Sequence, residues 1–322
     1  MMAARNPASN APVADPGRAP GLPAVEVPTL LLIIATYGAW LAITYAYRSW
    51  PLWIIAPIGA IILTLHSSLQ HEILHGHPTR WRVVNGLLGV VPLSLWLPYR
   101  RYRDLHLTHH INDRLTDPHD DPETNYWDPD DWARLGPVGR GLVRIQLTLA
   151  GRILVGPFWR IPRFLYRELR SVIRNERRAR RYWPEQLLWW VPVLLWVKLV
   201  CGMPIWIYVL AFVVPGNAIL GIRSFAEHRA RPAVNERSAI VEGSYFLGPL
   251  FLFNSLHALH HEEPLMPWYE YNSRYRVRRE HLVRSNGGLV YASYLDVARR
   301  YLFRPHDVPV HPTGGVPRRG AA

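Results

Sequence analysis

Cysteine is almost missing from this sequence: Cys201 is the single one in 322 residues. That excludes a disulfide within the chain, and it excludes a cysteine-ligated iron–sulfur cluster or zinc ribbon built by this chain alone. Charge is scarce as well. Charged residues make up 19% of the chain, below the roughly 25% of ordinary soluble chains, while hydrophobic residues make up 49%. With 14 Trp and 29 Pro beside them, this composition excludes a disordered chain and argues against a coiled coil. No flavin or nucleotide fingerprint follows a strand, so direct hydride transfer from a nicotinamide is not expected. Residues 1–28 are rich in Ala, Pro, Gly and Asn. They lack the apolar stretch and cleavage site that follow the basic start of a signal peptide, and they read as a disordered N-terminal tail.

What the sequence has is long uncharged runs. Thr29 to Tyr47 is TLLLIIATYGAWLAITYAY, 19 residues without a charge, close to the ~20 needed to cross a bilayer. Arg48-Ser49-Trp50 breaks it, and Pro51 to Gln70 is uncharged again. So short a break forces the two runs antiparallel. A second pair follows, Gln186–Cys201, with Lys198 placed to snorkel, and Ile205–Ile222, joined through Gly202-Met203-Pro204. The expected fold is all-α and integral to a membrane: four transmembrane helices in two hairpins, with a cytosolic helical cap. The expected divisions are a membrane domain at 29–285 and a C-terminal extension at 286–322 whose end is flexible. Val83–Tyr99 and Gly139–Trp159, apolar but interrupted, read as membrane-surface or re-entrant segments.

The net charge of +13 is distributed unevenly. Nineteen Arg lie between His75 and Gln186 and 14 from Arg223 onward, whereas the two tight turns hold only Arg48 between them. The positive-inside rule then puts both basic regions, and both termini, in the cytoplasm. A basic surface beneath anionic lipid accounts for the charge without nucleic acid as a partner. The expected location is a bacterial inner membrane with the active site on its cytoplasmic side.

Fifteen His are present, and their spacing carries the chemistry. His71 and His75 form an i, i+4 pair; His106, His109 and His110 form one HxxHH cluster, and His257, His260 and His261 another. Residues at i, i+3 and i+4 share a helix face, which is how a helix presents imidazoles to a metal. All three clusters fall at the expected cytoplasmic ends of helices. Eight imidazoles exceed the four ligands of one zinc ion, so two ions with open positions are expected. Nitrogen ligands without thiolate suit iron, zinc, copper or nickel, and redox chemistry on an apolar substrate points to iron. Glu72, Asp104, Glu262 and Glu263 adjoin these histidines as candidates to orient imidazole N–H groups. Asn254, three residues before His257, either reaches a metal through water or caps the helix. His66 and His77 are weaker candidates.

HxxxH, HxxHH and HxxHH, with paired spans between the second and third boxes, resemble the membrane fatty acid desaturase and hydroxylase superfamily over roughly residues 29–285. The resemblance implies four spanning helices capped by a cytosolic di-iron centre that uses O2 to desaturate or hydroxylate an apolar chain. It also implies a ninth ligand after the last span, a place that His228 occupies. The HxxxH form of the first box resembles bacterial acyl-lipid desaturases, carotenoid ketolases, alkane hydroxylases and the decarboxylases that make terminal alkenes. A fatty acid desaturase acting on a fatty acyl or similar lipid chain is the first expectation. Hydroxylation, ketolase-like oxygenation and decarboxylation are alternatives on the same scaffold.

Two shorter patterns compete. His71-Glu72-x-x-His75 is a literal HExxH, which a membrane zinc peptidase would use with Glu72 as base, but this would leave both HxxHH clusters unexplained. A metal transporter would need ionisable groups within its spans rather than at their ends. The acidic, proline-broken stretch Asp113–Asp131 reads as a solvated loop near the substrate mouth. His306 and His311 read as tail residues, with no room after His311 for a haem-binding domain. A separate ferredoxin- or rubredoxin-like donor with its reductase is therefore expected.

Overall fold

The computed structural model describes residues 17–111 and 113–312. It is built almost entirely of helices, α1 Val27–Tyr45, α2 Leu52–Leu74, α3 Arg82–Gly89, α4 Tyr99–His110, α5 Pro129–Arg134, α6 Pro137–Gln146, α7 Leu149–Leu154, α8 Gly156–Ile173 and α9 Arg177–Leu195. α10 Ile205–Tyr208, α11 Val214–Ala226, α12 Leu247–Leu250, α13 His257–Glu262, α14 Tyr271–Ser285 and α15 Tyr294–Tyr301 follow. The strands β1 Ile240–Val241 and β2 Val290–Tyr291 pair in parallel, Ile240 opposite Val290.

α1 shows why this chain needs a membrane. Its buried stripe is Thr29, Ile33, Thr36, Trp40 and Thr44, three of them hydroxyl-bearing. Leu31 and Ile34 are 59% and 58% exposed. The small polar side faces protein and the large apolar side faces out, the reverse of a soluble amphipathic helix. Thr36 and Thr44 donate their hydroxyls back to Leu32 O and Trp40 O, so little polarity is left unsatisfied.

Among the described residues, three helices are long and apolar enough to span: Val27–Arg48, Leu52–Leu74 and Ile205–Ala226. The last runs from α10 to α11 through a π-turn at Val209–Val213, which lies just before Pro215 and accommodates its missing N–H. The fourth expected span, Gln186–Cys201, is the second half of α9 and its π-turn at Trp196–Val200. The helix begins in the basic run from Arg177, so its uncharged part is short and α9 does not stand among the three.

A shared apolar core ties these helices together: Trp40, Ile55, Leu63, Val193, Val197, Tyr208 and Phe212. Gly59 is required there, because a Cβ would meet the Phe212 ring at 2.5 Å. The irregular stretch after α3 is buried in the same core. Tyr208 donates its hydroxyl to Leu93 O, and Gln186 and Trp190 donate to Leu95 O. Non-helical backbone at membrane depth is tolerated only when protein satisfies it in this way.

Two sequence expectations change. Within the tail expected at 1–28, residues 1–16 lie outside the described residues. The part from 17 to 28 is packed, with Val25 bridging Thr79 and Glu26 fully buried against His77. The extension at 286–322 is woven into the cap as far as it is described: β2 pairs with β1, and His306 N–H donates to Leu147 O. His306 and His311 are buried, against Tyr291 OH and Thr116 Oγ1 respectively, and are structural rather than tail residues.

Candidate metal centre

Four segments converge beyond the ends of α2 and α11. α2 delivers His71 in its last turn and His75 at its C-terminal end. α4, entered through Pro98, delivers His106, His109 and His110. His228 lies two residues beyond α11, its backbone bridged to Ser238. α13 delivers His257, His260 and His261. It is seated by Leu256 and Leu259 on Ile240, Tyr271 and Leu282. Leu252 and Phe253 just before it have positive φ of 50° and 55°, a strained turn for branched and aromatic residues that aims Asn254 at the site.

The nine imidazoles form two groups. His71, His75, His106, His110 and His260 bring ring nitrogens together in one, and His109, His228, His257 and His261 in the other. Each HxxHH box splits the same way: its i, i+4 pair serves one group and its middle residue the other. The groups adjoin, with the His110 and His261 rings stacked at 4.4 Å.

The chemistry of these nitrogens fits metal ions. His228 Nε2 lies 3.1 Å from His109 Nε2 and 2.9 Å from His257 Nε2. His106 and His110 approach at 3.0 Å and His257 and His261 at 3.2 Å, again through Nε2. Two ligands about 2.1 Å from one ion and at right angles to it would stand about 3.0 Å apart. In the five-histidine group, His71 Nε2, both His75 nitrogens and His260 Nε2 are buried without a hydrogen-bond partner among the described residues, a costly arrangement unless something else binds them.

Acceptors behind the rings hold the tautomers. Glu123 and Asp121 accept from Nδ1 of His106 and His109 at 2.9 and 2.8 Å. Arg237 O stands 3.3 Å from His228 Nδ1, Asn254 Oδ1 3.1 Å from His257 Nδ1 and Tyr271 OH 2.8 Å from His260 Nδ1. With the proton held on Nδ1, Nε2 turns inward with its lone pair free, the usual carboxylate–histidine–metal arrangement. Arg223 and Glu227 extend this support, since Asn254 donates to Glu227 and Glu227 pairs with Arg223.

None of the four acids expected to orient imidazoles holds a ring of either group, and Asn254, expected to reach a metal through water or to cap the helix, instead stands against His257 Nδ1. Glu72 instead accepts from Trp268 N–H, Asp104 is taken by Tyr182, Arg103 and Arg181, Glu262 by Arg278 and His281, and Glu263 by Arg274 and Arg278. Sequence adjacency misled here, because a helix neighbour of a ligand points to a different side. His66 faces Tyr37 and His77 faces Glu26, outside both groups. The acidic loop was the source missed: Asp121 is 3% exposed and its carboxylate holds His109, so this part of the loop is not solvated. An acidic run directly following a histidine box was the available signal. His119 pairs with Asp128 and holds no position in either group.

Without metal, burial keeps most of these rings neutral. Burial first, then neighbouring imidazoles, hold His75, His110, His257, His260 and His261 well below the ordinary histidine range, and His228 down to about 3. His109 is the exception. Burial opposes its charge, but Asp121 outweighs burial and lifts it to about 9. A ring held low leaves the folded state short of a proton below the unfolded value near 6.5, so stability falls with falling pH. His109 works oppositely, its contribution being lost as pH rises from about 6.5 to about 9. The rings held low outnumber it. The metal-free protein should therefore lose several degrees of melting temperature between about pH 7.5 and pH 5.5. Scanning calorimetry of chelated protein checks this, and a flat profile would contradict the buried neutral rings.

The comparison with curated proteins gives no match. The family described as fatty acid desaturase matches residues 48–293, three of the helical segments that carry the histidines and His228 included. This covers about three quarters of the chain and every residue of the two histidine groups, and the chain belongs to the fatty acid desaturase family.

Proposed function

We propose that this protein is an O2-dependent di-iron membrane oxidase that desaturates a fatty acyl or similar lipid chain, with His71, His75, His106, His110 and His260 holding one iron and His109, His228, His257 and His261 the other. The observation that carries this reading is the division of nine imidazoles, six buried and three half-buried, into adjoining groups of five and four within a desaturase-family chain. Two irons held there would supply reduction of O2 and removal of hydrogen from an unactivated carbon. The chain's own residues orient the ligands: Asp121, Glu123, Asn254 and Tyr271 fix the rings from behind. Hydroxylation, ketolase-like oxygenation and decarboxylation use the same ligand set, and the fold does not choose among them.

The peptidase alternative loses its base, because Glu72 is turned to Trp268 N–H. Mass spectrometry of lipids and headspace volatiles from cells with and without the chain tests the proposal. A new double bond supports it, and an alcohol, ketone or shortened alkene would move the protein to another branch.

The second half of α9 completes a fourth span in this proposal, with the histidine groups and both termini cytoplasmic. A reporter active only outside the cytoplasm should give signal when fused in the turns at 48–50 and 202–204. Signal at either terminus would overturn the four-span arrangement.

A further inference from the structure

One cluster of metal-binding side chains belongs to neither histidine group. Glu26, Glu72 and His77 each offer a ligand atom, and the three atoms lie within 4.8 Å of one another. All three residues are buried, at 0%, 6% and 1% exposure. Glu26 is the residue before α1, Glu72 sits in the last turn of α2, and His77 follows α2. Gly76, with φ at 101°, turns the chain out of α2 and brings His77 to Glu26. Backbone bonds fix the walls. Glu26 N–H donates to Pro78 O, Arg80 N–H to Ala24 O, and Asn85 Nδ2 to Gly76 O and Thr79 O.

The His77 ring is held as the rings of the histidine groups are. Its Nδ1 stands 2.8 and 2.9 Å from the two Glu26 oxygens, matching His109 on Asp121 at 2.8 Å and His106 on Glu123 at 2.9 Å. Its Nε2 is buried without a hydrogen-bond partner among the described residues and stands 3.9 Å from Glu72 Oε1. Arg18 balances Glu26, whereas no arginine or lysine among the described residues pairs with Glu72. The carboxylates flanking the ring thus call for positive charge at Nε2. A proton there would be out of hydrogen-bond range of Glu72 and would stay buried and unbonded. A metal ion in its place bonds to both sides. Two ligands about 2.1 Å from one tetrahedral ion stand roughly 3.4 Å apart, so a shift of about half an ångström closes the site.

We propose that Glu26, Glu72 and His77 form a third metal site, which takes a divalent transition ion of the zinc type. One imidazole with carboxylates and no thiolate is a donor set that zinc accepts, and zinc brings no redox chemistry to a site that has no part in the reaction. The ion is a clasp. Glu26 precedes α1 and Glu72 ends α2, so it closes the open end of the α1–α2 hairpin. Glu72 lies between His71 and His75 in sequence and also accepts from Trp268 N–H beyond the third box. The clasp therefore braces the turn that carries two ligands of the five-histidine group. None of its three residues belongs to either histidine group, so the site stands apart from the oxidase reading.

The test counts zinc. Full-length protein in detergent is stripped with a chelator, dialysed against zinc and measured by plasma mass spectrometry. His77→Gln and Glu72→Gln should each bind one zinc per chain fewer than the wild type. Glu72→Gln keeps a carbonyl oxygen for Trp268 N–H and so disturbs the fold less. Combining His77→Gln with His109→Ala should remove a second ion, because the two losses come from different sites. If the histidine groups bind nothing, His109→Ala is silent and the oxidase reading fails, while the difference made by His77→Gln stands. A folded His77→Gln or Glu72→Gln variant with the wild-type count would overturn the proposal and leave an ion-paired cluster. If neither variant folds, zinc-soaked crystals of the wild type decide. An anomalous peak between His77 Nε2 and Glu72 supports the site, and its absence at saturating zinc overturns it.

Discussion

Replacing His257 or His261 with alanine should cost one metal ion per chain and lower turnover on the order of a thousand-fold or more. Both belong to the group of four, with His109 and His228, so each loss leaves three ligands. His109→Ala and His228→Ala should behave alike. In the group of five, losing His71, His75, His106, His110 or His260 still leaves four ligands. Metal content should fall less there, although turnover should still collapse because an altered position changes the geometry of the pair. Iron per chain by plasma mass spectrometry, beside product formation, separates these cases. Asp121→Asn should be milder, weakening metal binding by roughly 10- to 100-fold, since the ring stays but its tautomer is no longer enforced. Full activity in any two of the histidine variants would sink the ligand assignment.

The clustering of eight of the nine imidazoles was readable from spacing because helix periodicity turns sequence into geometry, whereas His228 came only from the resemblance. HxxxH and HxxHH place rings on one face whatever the tertiary fold. What periodicity does not encode is how a shared face divides between two ions. That depends on the crossing of α2, α4 and α13, which sends His109 and His260 to the opposite group from their box neighbours. The supporting residues were less legible. Asp121 and Glu123 reach back to α4 from a loop 12 and 17 residues away from their rings. Tyr271 reaches His260 from the helix that follows the third box. Loops of this kind have no period to read. Three spans were legible for the opposite reason, since uncharged runs of 18 to 20 residues leave few alternatives. α9 was harder, because one continuous helix carries the basic run from Arg177 and the apolar run that follows.

Purified protein given fatty acid, O2 and NAD(P)H alone should make no product, and a small acidic ferredoxin-type donor with its reductase should restore turnover. The sequence has one cysteine, and that one is buried in the apolar core of the bundle, so no redox pair of thiols stands by. The charge distribution favours an acidic partner. Arg174, Arg177 and Arg180 are exposed around the turn from α8 to α9, and Arg181 beside them pairs with Asp104. Asp104 sits on α4 two residues before His106, and Tyr182 of α9 donates its hydroxyl to it. A donor steered to this basic turn would rest on the helix that carries the second histidine box. Steering of this kind is long-ranged and weakens as the Debye length falls from ~10 Å at 0.1 M salt to ~3 Å at 1 M. The apparent donor affinity should therefore drop with salt, and a triple Arg174→Gln, Arg177→Gln, Arg180→Gln variant should reproduce much of that drop at low salt while leaving metal content unchanged. Turnover on NAD(P)H alone would refute the external donor. An affinity indifferent to both salt and the triple substitution would keep the donor but remove it from this surface.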